Sequence, residues 1–183
     1  MFYSLVNYPD INTSAIEKFR ERYDSYHRLI GAHITIIFPV PDSIGEKELV
    51  AHIESNIQKW KHFQIHIKGL EKSWDHWLFL LIQEGNDEII KLHDQLYTGI
   101  LAPFLRRDIE FIPHIAIGLF ADNSYDLRDP KKVSFDKVKY EKALLEAESL
   151  NLDYKTVIDK FALVKVNDHF SQILESKDFT LNL

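Results

Sequence analysis

The chain lacks cysteine altogether among its 183 residues. This absence excludes disulfides, thiolate catalysis and cysteine-type zinc sites, and it is typical of a cytoplasmic protein. Six glycines and six prolines are too few for a low-complexity or fibrous chain. No apolar run approaches the roughly 20 residues of a membrane-spanning helix, and the N-terminus has no signal-peptide pattern. We therefore expect a soluble protein with no membrane partner.

Concentrated positive charge is also missing. The net charge is −6 with a pI near 5.8, and the basic residues form no block longer than the pairs Arg106-Arg107 and Lys131-Lys132. Proteins that grip long nucleic acids usually present a basic face. We therefore expect no long duplex partner; a nucleotide, an RNA end or another small phosphodiester is the expected ligand. A hydrophobic content of 45% suits one compact domain, which we expect to be a monomer.

Hydrophobic periodicity predicts alternating strands and helices along the whole chain. Two patterns of Ser followed three residues later by Glu, at 14–17 and 43–46, resemble capping boxes at helix starts. The short link 71–76 predicts a hairpin. The predicted strands are 2–8, 33–38, 63–70, 77–83, 114–120, 158–166 and 170–182, and the predicted helices are 14–30, about 43–60, 87–105 and 136–150, with a polar loop at 121–134.

The order strand, helix, histidine-containing strand, helix, strand then occurs a second time. Hairpins joined by helices indicate an α+β fold rather than a doubly wound parallel sheet. We predict one bilobal pseudo-twofold domain over 1–183, with two antiparallel sheets around a central cleft and helices on the outside. The boundary between the pseudo-repeat halves, about 1–72 and 75–183, is predicted near 71–76.

One histidine occupies the same place in each half. Aligning the segments at 32–38 and 113–119 superimposes His33 on His114 and the isoleucines one and three places later on each other. Because side chains alternate along a strand, each histidine shares its face with the residue two places later, Thr35 or Ala116. The opposite faces are apolar and can pack under helices. A lone histidine on a strand is usually structural, but two at equivalent positions favour a function.

Two facing imidazoles suit phosphodiester chemistry. An imidazole accepts or donates a proton near neutral pH, so one histidine can deprotonate a hydroxyl or water while the other protonates the leaving oxygen. The Thr35 hydroxyl can donate a hydrogen bond to a phosphate oxygen. The residues alone do not say which histidine is the acid.

The segment HITIIFP, with His33-Ile-Thr35, resembles the first signature motif of the 2H phosphoesterase superfamily, which includes 2′-5′ RNA ligase-like proteins and cyclic nucleotide phosphodiesterases. The family carries one His-x-Thr/Ser motif in each half of a bilobal α+β fold, and the resemblance covers nearly the whole chain. It implies that His33 and His114 are the catalytic pair and that Thr35 binds phosphate. It implies a phosphoesterase acting on a 2′,3′-cyclic or 2′-5′ phosphodiester without metal or other cofactor.

Ala116 departs from the family pattern, because alanine cannot replace the expected hydroxyl. Another group can supply that contact, the substrate can present its phosphate differently, or the domain can bind nucleotides or RNA ends without turnover. The candidates for a replacement donor are Tyr3, Lys68, Arg106 and Arg107.

Other side chains are weaker candidates. His66 either lines the cleft with Lys68 or lies on a solvated face. His62, His66 and His76 together suggest metal only faintly, because no acidic partner has suitable spacing. The aromatic side chains Trp74, Trp77 and Phe79 are candidates for base stacking, although strand aromatics are more often core. The polar loop 121–134 either covers the cleft or is an idle surface loop.

Overall fold

The structure, a computed structural model, describes residues 1–121 and 134–182. The described strands are β1 (Phe2–Asn7), β2 (Ile34–Pro41), β3 (Phe63–Lys72), β4 (Trp77–Ile82), β5 (His114–Leu119), β6 (Asp153–Ile158), β7 (Lys160–Val166) and β8 (Ile173–Thr180). The described helices are α1 (Ser14–Tyr23), α2 (Glu46–Ile57), α3 (Asn86–Leu96) and α4 (Lys137–Ser149), with short 3₁₀ turns at Asp42–Ile44 and Gly99–Phe104.

The strands form one eight-stranded sheet in the order β6-β3-β4-β5-β2-β1-β7-β8. Every pairing between neighbouring strands is antiparallel. The α+β class and the antiparallel pairing are therefore confirmed, as is the hairpin of β3 and β4, in which Lys72 pairs with Leu78.

The number of sheets differs from the prediction. The sequence predicts two sheets, whereas the structure has one continuous sheet, because β2 and β5 lie side by side and pair through Ile34 and Ile115. Both strands begin with the residues around a histidine and run in opposite directions. The junction of the two half-sheets is thus also the place where the two histidine motifs meet.

Neither half of the sheet is built from one half of the chain. The strands β1 and β2 are continued by β7 and β8, whereas β4 and β5 are continued by β3 and β6. Strand β3 belongs to the first half of the chain but pairs with β4 of the second half, and β7 belongs to the second half but pairs with β1 of the first. The predicted boundary near 71–76 lies at the turn between β3 and β4, and the pseudo-repeat remains a prediction.

The core lies on one face of this sheet. Ile34, Ile36, Ile115 and Ile117 are completely buried there. Helix α1 packs against β5 and helix α3 packs against β2, so each helix covers the histidine strand of the other half. Fully burying such side chains contributes about 1.5–3 kcal/mol each, which fixes the alternation and leaves the intervening residues on the opposite face.

Several element boundaries differ from the sequence predictions. Helix α1 ends at Tyr23 rather than near residue 30, because Asp24 adopts an extended conformation and the chain turns away. The predicted helix 87–105 is interrupted by extended Thr98 and by Gly99, whose φ is 52°. Strand β6 was missed, because it is an edge strand with exposed residues at alternate positions. Neither predicted capping box forms a side-chain cap bond.

Two sequence expectations concern a membrane-spanning helix and the polar loop 121–134. In the described segments 1–121 and 134–182, no helix is both long and apolar enough to span a membrane. The predicted loop 121–134 lies almost entirely outside the described residues, so its role as a cover of the cleft is not addressed by the structure.

Candidate active site

The two histidine motifs form a compact array at the junction of the half-sheets. Extending the Ile34–Ile115 register by one residue in each direction places His33 opposite Ala116 and Thr35 opposite His114. All four side chains share the face opposite the buried isoleucines, and all four are half-buried. Diagonal neighbours in an antiparallel pair lie about 7–8 Å apart, which is the expected separation of the His33 and His114 backbones. A phosphate group fits between side chains at such positions.

Both imidazoles are held in the same way. His33 Nδ1 donates to the carbonyl oxygen of Gly31 at 2.8 Å, and His114 Nδ1 donates to the carbonyl oxygen of Ile112 at 2.5 Å. In each case the acceptor belongs to the residue two places earlier. A carbonyl oxygen can only accept, so Nδ1 must carry the proton in both rings. In the neutral rings Nε2 is then the basic nitrogen, and it is the atom available for proton transfer.

The environment keeps both rings neutral. Burial lowers the pKa of His33 to about 4, with a further lowering by the Arg20 cation, while the Gly31 hydrogen bond and Glu17 act in the opposite direction. Burial also lowers the pKa of His114 to about 4, opposed by its bond to Ile112 and reinforced by His33. The effect of His33 on the pKa of His114 agrees with the close placement of the two rings. Perturbed histidine pairs of this kind are typical of functional sites.

Two aromatic side chains flank the pair. The Phe79 ring stacks on the His114 ring with centroids 3.4 Å apart, and Phe79 pairs with Ala116 across β4 and β5. The Tyr8 ring meets the His33 ring edge-on at 6.3 Å. Sequence reasoning considered Phe79 only for base stacking and missed Tyr8, since both contacts depend on strand pairing between distant segments.

The site is chemically asymmetric. Thr35, which carries a hydroxyl, is opposite His114, whereas Ala116, which has only a methyl group, is opposite His33. On the side of the histidine pair formed by β4 and β5 lie Ala116, Phe79 and Leu81, because Phe79 pairs with Ala116 and Leu81 pairs with His114. These neighbours offer no hydrogen-bond donor in place of the hydroxyl that the family pattern expects at position 116.

The four candidates for a replacement donor lie elsewhere. Tyr3 is buried on the core face, where its hydroxyl donates to Glu46 at 2.9 Å. Lys68 is on the same face as the histidines but two strands from His114, and its Nζ is 2.7 Å from Asp153. Arg106 forms a two-pronged ion pair with Asp108 in the loop before β5, and Arg107 is an exposed neighbour in that loop. The structure does not bring these side chains into contact with the pair.

The remaining candidates are separated from one another. His66 joins Lys68 on Asp153, with His66 Nε2 at 2.7 Å from the carboxylate. In the described residues no group of three or more potential ligands could hold a metal ion. Trp77 is buried and stacks with Tyr26, whereas Trp74 is half exposed in the β3–β4 turn.

Comparison with known proteins assigns the family. The family model of the 2′-5′ RNA ligase superfamily matches residues 8–169. The chain therefore belongs to the 2′-5′ RNA ligase superfamily, the group of 2H phosphoesterases that the histidine motifs resemble.

Individual relatives agree with this assignment. A candidate phosphoesterase of Geobacillus thermodenitrificans is 29% identical over 125 residues, which cover 64% of this chain and 69% of that protein. A solved phosphoesterase structure matches 100% of this chain and 98% of its own, with a TM-score of 0.58 and 14% identity. Escherichia coli LigT in its apo form matches 100% and 98% of the two chains, with a TM-score of 0.56 and 13% identity. The solved structures share the fold.

Proposed function

We propose that the chain is a metal-independent phosphoesterase in which His33 and His114 are the acid–base pair and Thr35 binds the phosphate. The observation that carries this proposal is the arrangement at the junction of the half-sheets. The two histidines lie next to the Ile34–Ile115 pair on neighbouring strands, and the Nδ1–H of each imidazole donates to a backbone carbonyl oxygen. Each therefore keeps Nε2 for a proton transfer, as concerted acid–base catalysis requires.

The reaction needs one neutral and one protonated ring. The Nε2 of the neutral ring takes a proton from a water molecule or a hydroxyl group, whose oxygen forms a new bond to phosphorus. The bond from phosphorus to the leaving oxygen breaks, and the protonated ring gives its Nε2 proton to that oxygen. The Thr35 hydroxyl donates to a non-bridging phosphate oxygen and stabilises its negative charge. In the reverse direction the two rings exchange roles.

Binding of the substrate can raise the pKa of one imidazole so that it becomes protonated. Both pKa values are near 4, so both rings are neutral at neutral pH. A phosphodiester anion between the rings favours the charged form of an imidazole and raises its pKa. The pair therefore takes up a proton as the substrate binds.

A small phosphodiester fits the site best. The chain carries a net charge of −6 and no basic block that would track a long nucleic acid. Within the same fold, LigT has been solved with 3′-AMP and with ATP. Together with the superfamily, these observations support a nucleotide or an RNA end with a 2′,3′-cyclic or 2′-5′ linkage as the substrate.

Turnover in the presence of EDTA tests the proposal. The panel contains 2′,3′-cyclic nucleotides, a 1″,2″-cyclic phosphate and 2′-5′-linked dinucleotides. We expect wild type to convert at least one of them, and His33→Ala and His114→Ala to lose that activity. His169→Ala, which removes an exposed histidine far along the chain, is the matched control and should behave as wild type. If both cleft variants match wild type, the acid–base assignment is wrong.

One observation favours a second function, namely binding without turnover. Among the described residues, Ala116 and its neighbour Phe79 offer no side-chain donor on their side of the proposed phosphate position. The cleft would then hold nucleotides or RNA ends. Calorimetric binding of 3′-AMP by a protein that converts none of the panel would favour this alternative.

A further inference from the structure

Arg20 on helix α1 is a charged side chain for which the acid–base chemistry has no direct use. It is only 2% exposed. Its Nε donates to Asp24 at 3.0 Å, its Nη1 donates to Glu17 at 3.0 Å, and its Nη2 donates to the carbonyl oxygen of Ile30 at 2.8 Å. Burying a guanidinium costs free energy unless its N–H groups are hydrogen-bonded, and here each of the three nitrogens has an acceptor. We call Glu17, Arg20 and Asp24 the Arg20 clamp.

The clamp reaches the segment that carries His33. Arg20 binds the carbonyl oxygen of Ile30, and Glu17 Oε1 accepts the Ala32 N–H at 2.5 Å. Gly31 lies between these two anchored residues, and its carbonyl oxygen is the acceptor for His33 Nδ1. Both neighbours of the residue that orients the imidazole are thus tied to α1.

Among the described residues, no such clamp holds the segment before the second histidine. At the position equivalent to Ala32 stands Pro113, which has no N–H and whose ring fixes φ near −65°. The Pro113 carbonyl oxygen also accepts the Ile82 N–H at 3.1 Å. In the second half a covalent ring and the sheet restrict the backbone before the histidine, whereas in the first half hydrogen bonds from α1 do so.

We propose that Arg20 and Glu17 are positioning residues for His33, acting through the peptide groups of residues 30–32 and the Gly31 carbonyl. The proposal rests on the proposed function in so far as His33 is catalytic. Arg20 and Glu17 touch no reacting atom. Misplacing a catalytic group by about 1 Å can cost on the order of a hundredfold in rate, so losing the clamp should lower kcat much more than it changes KM.

The charges of the clamp provide an independent signature. Arg20 lowers the pKa of His33 and Glu17 raises it. The other groups that face His33 are the Tyr8 ring and the imidazole of His114, and both are unchanged in clamp variants. Removing the Arg20 charge should therefore raise the pKa of His33, and removing the Glu17 charge should lower it.

Nitrogen-15 NMR of the His33 ring, together with steady-state kinetics, tests the clamp. The variants are Arg20→Met, Arg20→Lys and Glu17→Gln; the glutamine keeps an oxygen for the Ala32 N–H. Arg22→Met is the matched control, because Arg22 lies on the same helix and pairs with Glu146 on the surface. Ile53→Ala is a second control, because it creates a cavity at a buried position of α2 and so lowers stability without changing the clamp.

We expect the pKa of His33 to move in opposite directions in Arg20→Met and Glu17→Gln, and the Nδ1–H tautomer to lose population in Arg20→Met. kcat should fall about 10- to 100-fold in Arg20→Met and recover partly in Arg20→Lys. If Arg20→Met does not fold, Glu17→Gln tests the charge effect on the pKa of His33, and Arg20→Lys tests the loss of the guanidinium hydrogen bonds with the positive charge kept. The positioning role is refuted if His33 titrates alike in the clamp variants and in Arg22→Met. Because NMR needs no turnover, this result is separable from a failure of the proposed function.

Discussion

Ile34 and Ile115 pair across the middle of the sheet and join two half-sheets that are otherwise built from different strands. Both side chains are completely buried, so this pair also fixes which residues face the other way. One step to either side, His33 meets Ala116 and Thr35 meets His114. This pair thus sets the geometry of the candidate active site.

Restoring a hydroxyl at position 116 should raise activity. Ala116→Thr places a hydroxyl opposite His33, where the family pattern expects one, and threonine is well tolerated in strands. We expect kcat to increase by about 10- to 100-fold, since a single donor to a developing negative charge is worth at least that much in other enzymes.

Ala116→Val is the control for this change, because valine has the shape of threonine without the hydroxyl. It should show no gain. An equal response to both substitutions would mean that the shape near Phe79, and not the missing donor, limits the reaction.

Removing the Thr35 hydroxyl should have the opposite effect. Thr35→Val keeps the shape of the side chain opposite His114 but cannot donate to phosphate. We expect kcat/KM to fall by about a hundredfold or more, whereas Thr35→Ser should keep most of the activity. A valine variant as active as wild type would remove Thr35 from the site.

Much of this site can be predicted from the sequence, because its signal is local. His33, Thr35, His114 and Ala116 follow from two short motifs and from the alternation of side chains along strands. The helices and most strands likewise follow from apolar spacing within single segments. The sequence places every described strand except β6, and it gives the direction in which the side chains of β2 and β5 face.

The unpredicted features depend on contacts between distant segments. Which strands continue each half-sheet, and hence that there is one sheet, is decided by pairings such as β1 with β7. The contact of Tyr8 with His33 depends on the pairing of β1 with β2, and that of Phe79 with His114 on the pairing of β4 with β5. Helix α1 stops at Tyr23 although Tyr26 and Ile30 continue its apolar spacing, because Arg20 bonds to the turn that follows.

His33 and His114 should make the protein sensitive to acid. Their pKa values are near 4 in the folded state and about 6.5 in the unfolded state, so between these values the unfolded chain binds more protons. This contribution to stability is complete above about pH 6.5 and is lost as the pH falls toward 4. Urea unfolding at pH 7 and at pH 4.5 measures it.

The variant His33→Asn/His114→Asn should lose less stability over this interval than wild type, since it lacks both titrating groups and asparagine can still donate to the backbone carbonyls. His169→Asn should be as acid-sensitive as wild type. The same loss in the double variant would show that other groups govern the acid response.

Phe79 should help to keep His114 neutral. Its ring covers one face of the imidazole at 3.4 Å and contributes to the burial that lowers the pKa of His114. We expect Phe79→Ala to raise that pKa toward 6.5, because water then reaches the ring. An NMR titration of wild type and Phe79→Ala measures this. An unchanged pKa of His114 would show that other neighbours cause the burial.

The most direct test of the two-histidine account is the combination of both substitutions. Wild type, His33→Ala, His114→Ala and the double variant are compared on one phosphodiester substrate with EDTA present. If the rings act as one acid–base unit, each single variant should lose about 10²- to 10⁴-fold in kcat. The kcat of the double variant should then be only slightly below that of the less active single variant, because removing either histidine already abolishes the joint acid–base step. Losses that multiply, or single variants that retain wild-type turnover, would contradict the account.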